Sequence, residues 1–263
     1  MIRCFEALCE GEAYALSENG TIEEVDKISA QELFAFYHEF IKTAPIDIFI
    51  TGDMDIEAAK SVLESYLPSG NRVGYPHVAL SVPKKEIRYV EDKMDINQGK
   101  LCLGFKTNIA TTDRLYFPLV VANEVFGGGP ASKLFNNVRE KLSLCYYVFS
   151  RIESLKGLMI VSCGVEFDKF EIAQEEIMRQ FEDVKNLNFT DEDFSNSVLS
   201  IQNGLKSMRD SQRQMQDFNV SNILLGTGDI DRYLEKIQAV TKEDVAEAFS
   251  HISFDTVYKL SKK

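Results

Sequence analysis

The chain has 263 residues, 44% of them hydrophobic and 11% aromatic, enough to bury a sizeable core in about one or two domains of ordinary size. A formal net charge of -12, with no Lys/Arg cluster interleaved with aromatics, argues against nucleic acid as a partner. No apolar run reaches the roughly 18 to 20 residues of a membrane span, and the start MIRCFEALCEGEAYAL lacks the basic opening and small-residue cleavage site of a signal peptide, so a cytoplasmic chain with no membrane partner is expected.

In chain order, the first strong signal is Ser29-Ala30-Gln31-Glu32, a hydroxyl followed three residues later by a carboxylate, which predicts a capping box opening an amphipathic helix. A strand-like segment, IDIFIT at 46–51, follows it. The same order recurs near the other end of the sequence. Thr241-Lys242-Glu243-Asp244 reads as a second capping box, and FDTVYKL at 254–260 as its strand. The two caps lie 212 residues apart, far more than the about 30 residues of one helix-strand unit, so the pattern predicts two copies of a large module. Only the second copy has room to be complete. We therefore expect residues 1–70 to be the end of a first module, 71–84 a linker and 85–263 a complete second module, in a short protein or in the C-terminal portion of a longer one.

The second module opens with strand signals at 86–91 and 99–107 around a turn at Asp95–Asn97. A helix follows from about Thr112 to Phe126, with a start nearer Phe117 because Pro118 is tolerated only in a first turn. After a glycine run comes a helix from about Ala131 to Lys141, then strands at 145–153 and 158–167, a turn near Asp168 and a long helix at 170–186. Thr190–Asp193 reads as a third capping box, opening a helix to about Met208, and shorter helices and a last strand complete the chain. Paired strands followed by helices, without strict βα alternation, indicate an α+β fold with helices packed on one face of a largely antiparallel sheet.

Five cysteines, Cys4, Cys9, Cys102, Cys145 and Cys163, are an odd number at scattered spacings and read as buried reduced thiols. Three histidines give no pair at i and i+4, since His38 is followed there by Lys42, His77 by Ser81 and His251 by Asp255; no zinc site of that type is encoded. The glycine run Gly127-Gly128-Gly129 fails as a phosphate cradle. Counted from Gly127, the second glycine of a P-loop is replaced by Ser132, and the residue after Lys133 is Leu134; the dinucleotide pattern also meets Ser132 where its third glycine belongs. The run reads either as a helix stop with Pro130 leading into the next helix, or as a place where missing side chains let a peptide backbone approach.

Beyond the glycines, Ser132, Leu134, Val138-Arg139-Glu140-Lys141, Leu144 and Tyr146 follow Gly128 and Gly129 in an order that resembles the C-terminal module of the insulinase-type, or M16, zinc peptidases. The resemblance continues through the long helix, the FTDED segment at 189–193 and the tail, and covers essentially the whole chain. It implies the LuxS/MPP-like metallohydrolase fold and two related modules that close around a peptide. In that family zinc is held by His-x-x-Glu-His in the first module, so the resemblance implies zinc from a partner subunit or from an upstream module, and none held by this chain. It also implies that Arg139 and Tyr146 form the second half of the active site, a guanidinium and a phenol that stabilise charge on the carbonyl oxygen, with Tyr147 as the fallback and Gly127–Gly129 lining the substrate path. The strand 99–107, with Leu101 and Leu103, reads either as an edge to which an extended substrate adds, as the family binds peptides, or as an ordinary central strand.

Three functions follow: an Arg/Tyr subunit working with a zinc-bearing M16 partner in a heterodimer or homodimer on unstructured peptides, the C-terminal half of a self-sufficient peptidase, or a non-catalytic peptide-binding or scaffold homologue.

Overall fold

Mostly apolar segments at 99–106 and 158–165, buried along nearly their whole length, build the centre of a five-stranded sheet in the computed structural model, which describes residues 1–67, 70–83 and 86–263. The chain divides into two units, Met1–Leu16 with Ala79–Lys263, and Ser17–Val78. The first sixteen residues thus pack with the large unit, and residues 17–78 form the other. The expected linker end at Lys84 and module start at Lys85 lie outside the described residues.

In the large unit the strands are β1 (Arg88–Met94), β2 (Gly99–Lys106), β3 (Cys145–Glu153), β4 (Leu158–Val165) and β5 (Ser253–Lys262), in the spatial order β1-β5-β2-β4-β3. Three of the four pairings are antiparallel and β1 with β5 is parallel. The pleat sends Leu101, Leu103 and Phe105 of β2, Met159, Val161 and Cys163 of β4, Val148 of β3 and Val257 of β5 to one face, where they form the main core.

Helices α5 (Tyr116–Asn123), α6 (Phe170–Lys185) and α10 (Lys242–Ser250) cover that face, through side chains such as Leu119, Ile177, Phe181 and Phe249. In α6 and α10 the apolar residues recur at three- and four-residue intervals and present one stripe inward, whereas α5 is apolar nearly all round; each fully buried large side chain contributes about 1.5–3 kcal/mol. Outside them run α7 (Asp191–Met208), α8 (Gln212–Leu225) and α9 (Ile230–Gln238). The capping boxes expected at Thr190 and Thr241 are formed, with Thr190 Oγ1 accepting from Asp193 N at 3.0 Å and Thr241 Oγ1 from Asp244 N at 3.2 Å.

On the opposite face of the sheet lies α1 (Ile2–Leu8), whose Cys4 and Leu8, with Cys9, pack on Cys102, Ile160 and Tyr258 in a second, smaller cluster. Ions tie this layer down. Lys106 Nζ donates to the Leu8 carbonyl at 2.6 Å and to Ser81 Oγ, Lys156 Nζ pairs with Glu12 at 2.5 Å, and Arg88 donates to the Leu8 carbonyl at 2.8 Å and to Asp255 at 2.5 Å. Burial pushes the Asp255 carboxyl up, but bonds from Arg88 and Thr256 and the nearby positive charges outweigh it and hold it below the usual carboxylate range.

The small unit holds α2 (Ile22–Val25), α3 (Ala30–Thr43) and α4 (Ile56–Tyr66). Its capping box at Ser29 and Glu32 is formed, and another stands at Thr21 and Glu24. Residues 46–51 form no strand, because no neighbouring strand pairs with them among the described residues. Arg72 Nη1 closes the unit by donating to the carbonyls of Ile41 and Ala44, each at 2.9 Å.

Candidate functional site

Helix α5 accepts Pro118 as its third residue, where a missing N–H costs no intrahelical bond, and then widens into a π-type turn at Glu124–Gly128, with Gly129 N donating to the Glu124 carbonyl at 3.1 Å. None of the three glycines takes a positive φ. Their lack of side chains serves packing within the chain. A Cβ on Gly127 would lie 2.6 Å from Leu134 and 2.9 Å from the Ser150 amide nitrogen, one on Gly128 2.6 Å from the Asn123 amide, and one on Gly129 3.0 Å from the Glu124 carbonyl. At Gly127, which is buried, the close approach is made by the chain's own β3, and at Gly128 and Gly129 by the preceding helix; Gly128 itself is exposed.

Ser150 Oγ reaches Asn123 Oδ1 at 2.7 Å, and Ser200 donates to Glu124 at 2.8 Å, so polar groups as well as glycines set the distance between the helix and the strand. Burial raises the Glu124 carboxyl above its ordinary range, against the lowering effect of the Ser200 bond.

A second π helix, Leu134–Lys141, leads into β3. It ends with Leu142 N donating to Asn137 O at 3.1 Å and Leu144 N to Val138 O at 3.0 Å, and Ser143 turns the chain with a φ of 49°. The register of β3 against β4 then shifts between Cys145 and Tyr147, leaving Tyr146 as an extra, bulged residue. That bulge puts the Tyr146 side chain 77% into solvent. Arg139, seven residues earlier, meets it there: Nε donates to the Tyr146 carbonyl at 3.0 Å, Nη1 lies 3.5 Å from Glu140, and the guanidinium sits 4.8 Å from the Phe135 ring centroid. Arg139 and Tyr146 are thus brought together, and the arginine is oriented by three contacts. Beside them, burial favours the protonated form of the Cys145 thiol and pushes it up to about 11 despite the Arg139 charge.

Past the bulge, Tyr147 lies on the outer face of the sheet, opposite Gly164 of β4. Its ring stacks with Phe149 at 6.1 Å between centroids, and the Lys100 ammonium is 5.0 Å from its centre. The remaining two expected substrate contacts are elsewhere. Strand β2 is paired on both sides, by β5 and β4, and Leu101 and Leu103 are 0% exposed in the main core. The edge reading of 99–107 is corrected: the edge next to Arg139 and Tyr146 is β3, which pairs with β4 alone.

A structural or catalytic zinc ion takes His, Cys or carboxylate donors grouped around one point. Among the described residues no three such side chains are so grouped, and His38 instead packs its ring edge-on to Phe34 at 4.3 Å and Tyr37 at 5.8 Å.

The sequence profile described as "Peptidase M16 inactive domain" matches residues 27–200. The chain belongs to the M16 peptidase family. This M16 chain is 37% identical over 264 residues to a Bacillus subtilis protein named "Probable inactive metalloprotease YmfF", covering 98% of the chain and 61% of that relative. Its fold is similar to that of a conserved protein from Enterococcus faecalis V583, with a TM-score of 0.89 at 24% identity over 100% of this chain and 63% of that one. It is also similar to the M16 inactive domain from Pseudomonas fluorescens, with a TM-score of 0.74 at 16% identity over 100% of this chain and 65% of the other. The M16 chain therefore spans less than two thirds of the length of these relatives. The fold is the M16 inactive-domain fold, an α+β sheet with helices.

The sequence reading missed Lys100, Gly164 and Phe149, which gather around Tyr147, because only the β2–β4–β3 register puts them side by side. It also missed Glu124 and Ser150. A π turn leaves no residue signature, but a carboxylate three residues before a run of three glycines, with only Val125 and Phe126 between them, was a visible hint that something polar needed room.

Proposed function

We propose that this chain supplies the Arg139/Tyr146 half of a peptidase site, with zinc supplied by a partner M16 subunit, as a heterodimer, and with unstructured peptides as substrate. The observation that carries this reading is the Arg139 Nε bond to the Tyr146 carbonyl at 3.0 Å, which holds a cation against the backbone of the residue whose phenol is exposed at a sheet edge. A guanidinium fixed in this way, with a phenol on the same bulge, can donate to an oxygen on which negative charge develops, and a prepositioned donor needs no reorganisation when it does. The metal would come from another polypeptide; this chain's share is the donor pair and the edge beside it. Removal of one such donor costs about 10²–10³ in rate.

Mixed with a zinc-bearing M16 partner, the wild-type chain should give chelator-sensitive cleavage of an unstructured peptide, and Arg139→Ala with Tyr146→Phe together should reduce kcat by at least about 10². Undiminished cleavage by the double variant would refute the reading. A second reading, a peptide-binding homologue without activity, is favoured by the word "inactive" in the names of the matching family domain and of the Bacillus subtilis relative. It would be supported by peptide capture without turnover with any zinc-bearing partner.

A further inference from the structure

The antiparallel registers place residues of one sheet face in rows. Lys100 of β2, Gly164 of β4 and Tyr147 of β3 form one row, and Cys102, Ser162 and Phe149 form the next. Helix α1 packs over Cys102 and Gly104, towards the other end of β2, with Leu8 in contact range of Gly104. The first row remains partly exposed at Lys100 and Tyr147, directly beside the bulge that carries Tyr146.

This row is built around a missing side chain. A Cβ on Gly164 would lie 2.7 Å from Tyr147 Cε1 and 2.9 Å from Gln98 Oε1, so only glycine lets the tyrosine ring lie flat on the sheet with the Gln98 amide against it. Lys100 stands two strands in from the edge, about 9.6 Å at ordinary strand spacing. Its ammonium nevertheless reaches 5.0 Å from the Tyr147 ring centroid, held by a bond of 3.0 Å to Gln98 Oε1. Among the described residues no carboxylate lies within ion-pair distance of this ammonium. In a chain of net charge -12, a lysine steadied by an amide and an aromatic ring, without an acid, is complementary to an anion brought from outside.

We infer that Lys100, Gln98, Tyr147 and Phe149 form a side-chain subsite for an acidic residue of an extended peptide that pairs along the β3 edge. The inference rests on the peptide-binding reading above and adds a substrate preference to it. Strand addition at β3 supplies affinity through the main chain, and alternate side chains of the added strand fall on the aromatic face, where Lys100 meets a carboxylate. Because the ammonium is partly solvated, the preference is set at about tenfold rather than at the larger factor of a buried pair.

The test uses the full chain and rhodamine-labelled, C-terminally amidated, unstructured decapeptides identical except for Glu, Gln or Lys at the centre, followed by fluorescence anisotropy. Amidation removes the terminal carboxylate, so any preference belongs to the side chain. The Glu peptide is expected to bind about tenfold tighter than the Gln peptide and tighter still than the Lys peptide, with the difference shrinking as salt rises. Lys100→Met should equalise Glu and Gln while leaving Gln binding in place, and Lys100→Arg should retain the preference. Equal affinities for Glu and Gln in the wild type, a preference surviving in Lys100→Met, or no binding of any peptide would overturn the subsite. Equal affinities together with cleavage lost in the Arg139/Tyr146 double variant would sink the subsite and leave the donor-pair reading standing. A Lys100-dependent preference with cleavage intact in that variant would do the reverse.

Discussion

Gly127→Ala probes the seam between the glycine turn and β3. The new methyl would lie 2.6 Å from Leu134 Cδ1, 2.7 Å from Ser150 Oγ and 2.9 Å from Ser150 N. Neither neighbour can retreat freely: Leu134 is 0% exposed, and Ser150 is 4% exposed, paired in the sheet and bonded to Asn123. Overpacking of this kind costs about 1–3 kcal/mol. The lower entropy of the unfolded alanine chain returns about 0.4–1 kcal/mol, so the net loss is about 1–2 kcal/mol. Gly204→Ala is the matched control. Gly204 lies inside α7 with nothing within 4 Å of an added Cβ, and the same exchange should stabilise by about 0.5–1 kcal/mol. In urea unfolding with an m-value near 2 kcal/mol/M, the first midpoint should fall by about 0.5–1 M and the second should rise by about 0.25–0.5 M. A Gly127→Ala midpoint at or above the wild type would refute the reasoning, since it would mean that the helix and β3 separate at no cost.

Leu103→Ala should destabilise the large unit by about 2–5 kcal/mol in the same assay, and peptide affinity per folded molecule should be unchanged, because the side chain faces the core and no substrate. Glu124→Gln keeps an acceptor for Ser200 while removing the charge. A carboxyl raised on folding favours the native state at low pH, and that contribution disappears as pH climbs from the ordinary value of 4.5 through the higher folded value. The variant should therefore gain on the wild type between acid and neutral pH in paired unfolding curves, and a constant difference across that range would contradict it.

Much of the fold was legible because its signals are local. Thr190 with Asp193 and Thr241 with Asp244 each name a helix start within four residues, and the short, mostly apolar runs at 99–106 and 158–165 name two strands. Strand order was not legible. Whether β2 is an edge depends on β5, which arrives about 150 residues later and takes the place beside it, and no feature of GKLCLGFKT itself announces that neighbour. In the site, Arg139 and Tyr146 were found through their motif, while the bulge that exposes Tyr146 is a property of pairing with β4 and lay beyond any local pattern. The glycines carried an ambiguous signal for a related reason. They marked a close approach, but the approaching backbone is Ser150 of the chain's own β3.

The position of β5 also bears on how the protein is made. It is the last strand of the sheet to be synthesised, yet it is the wedge between β1 and β2, paired on both sides. Until residues 253–262 emerge from the ribosome, β1 has no strand to join, and β2 presents an open flank of apolar residues that could pair with another nascent chain. The sheet would stay open until those residues arrive, and a chaperone that shields the bare flank of β2 would matter most in that interval.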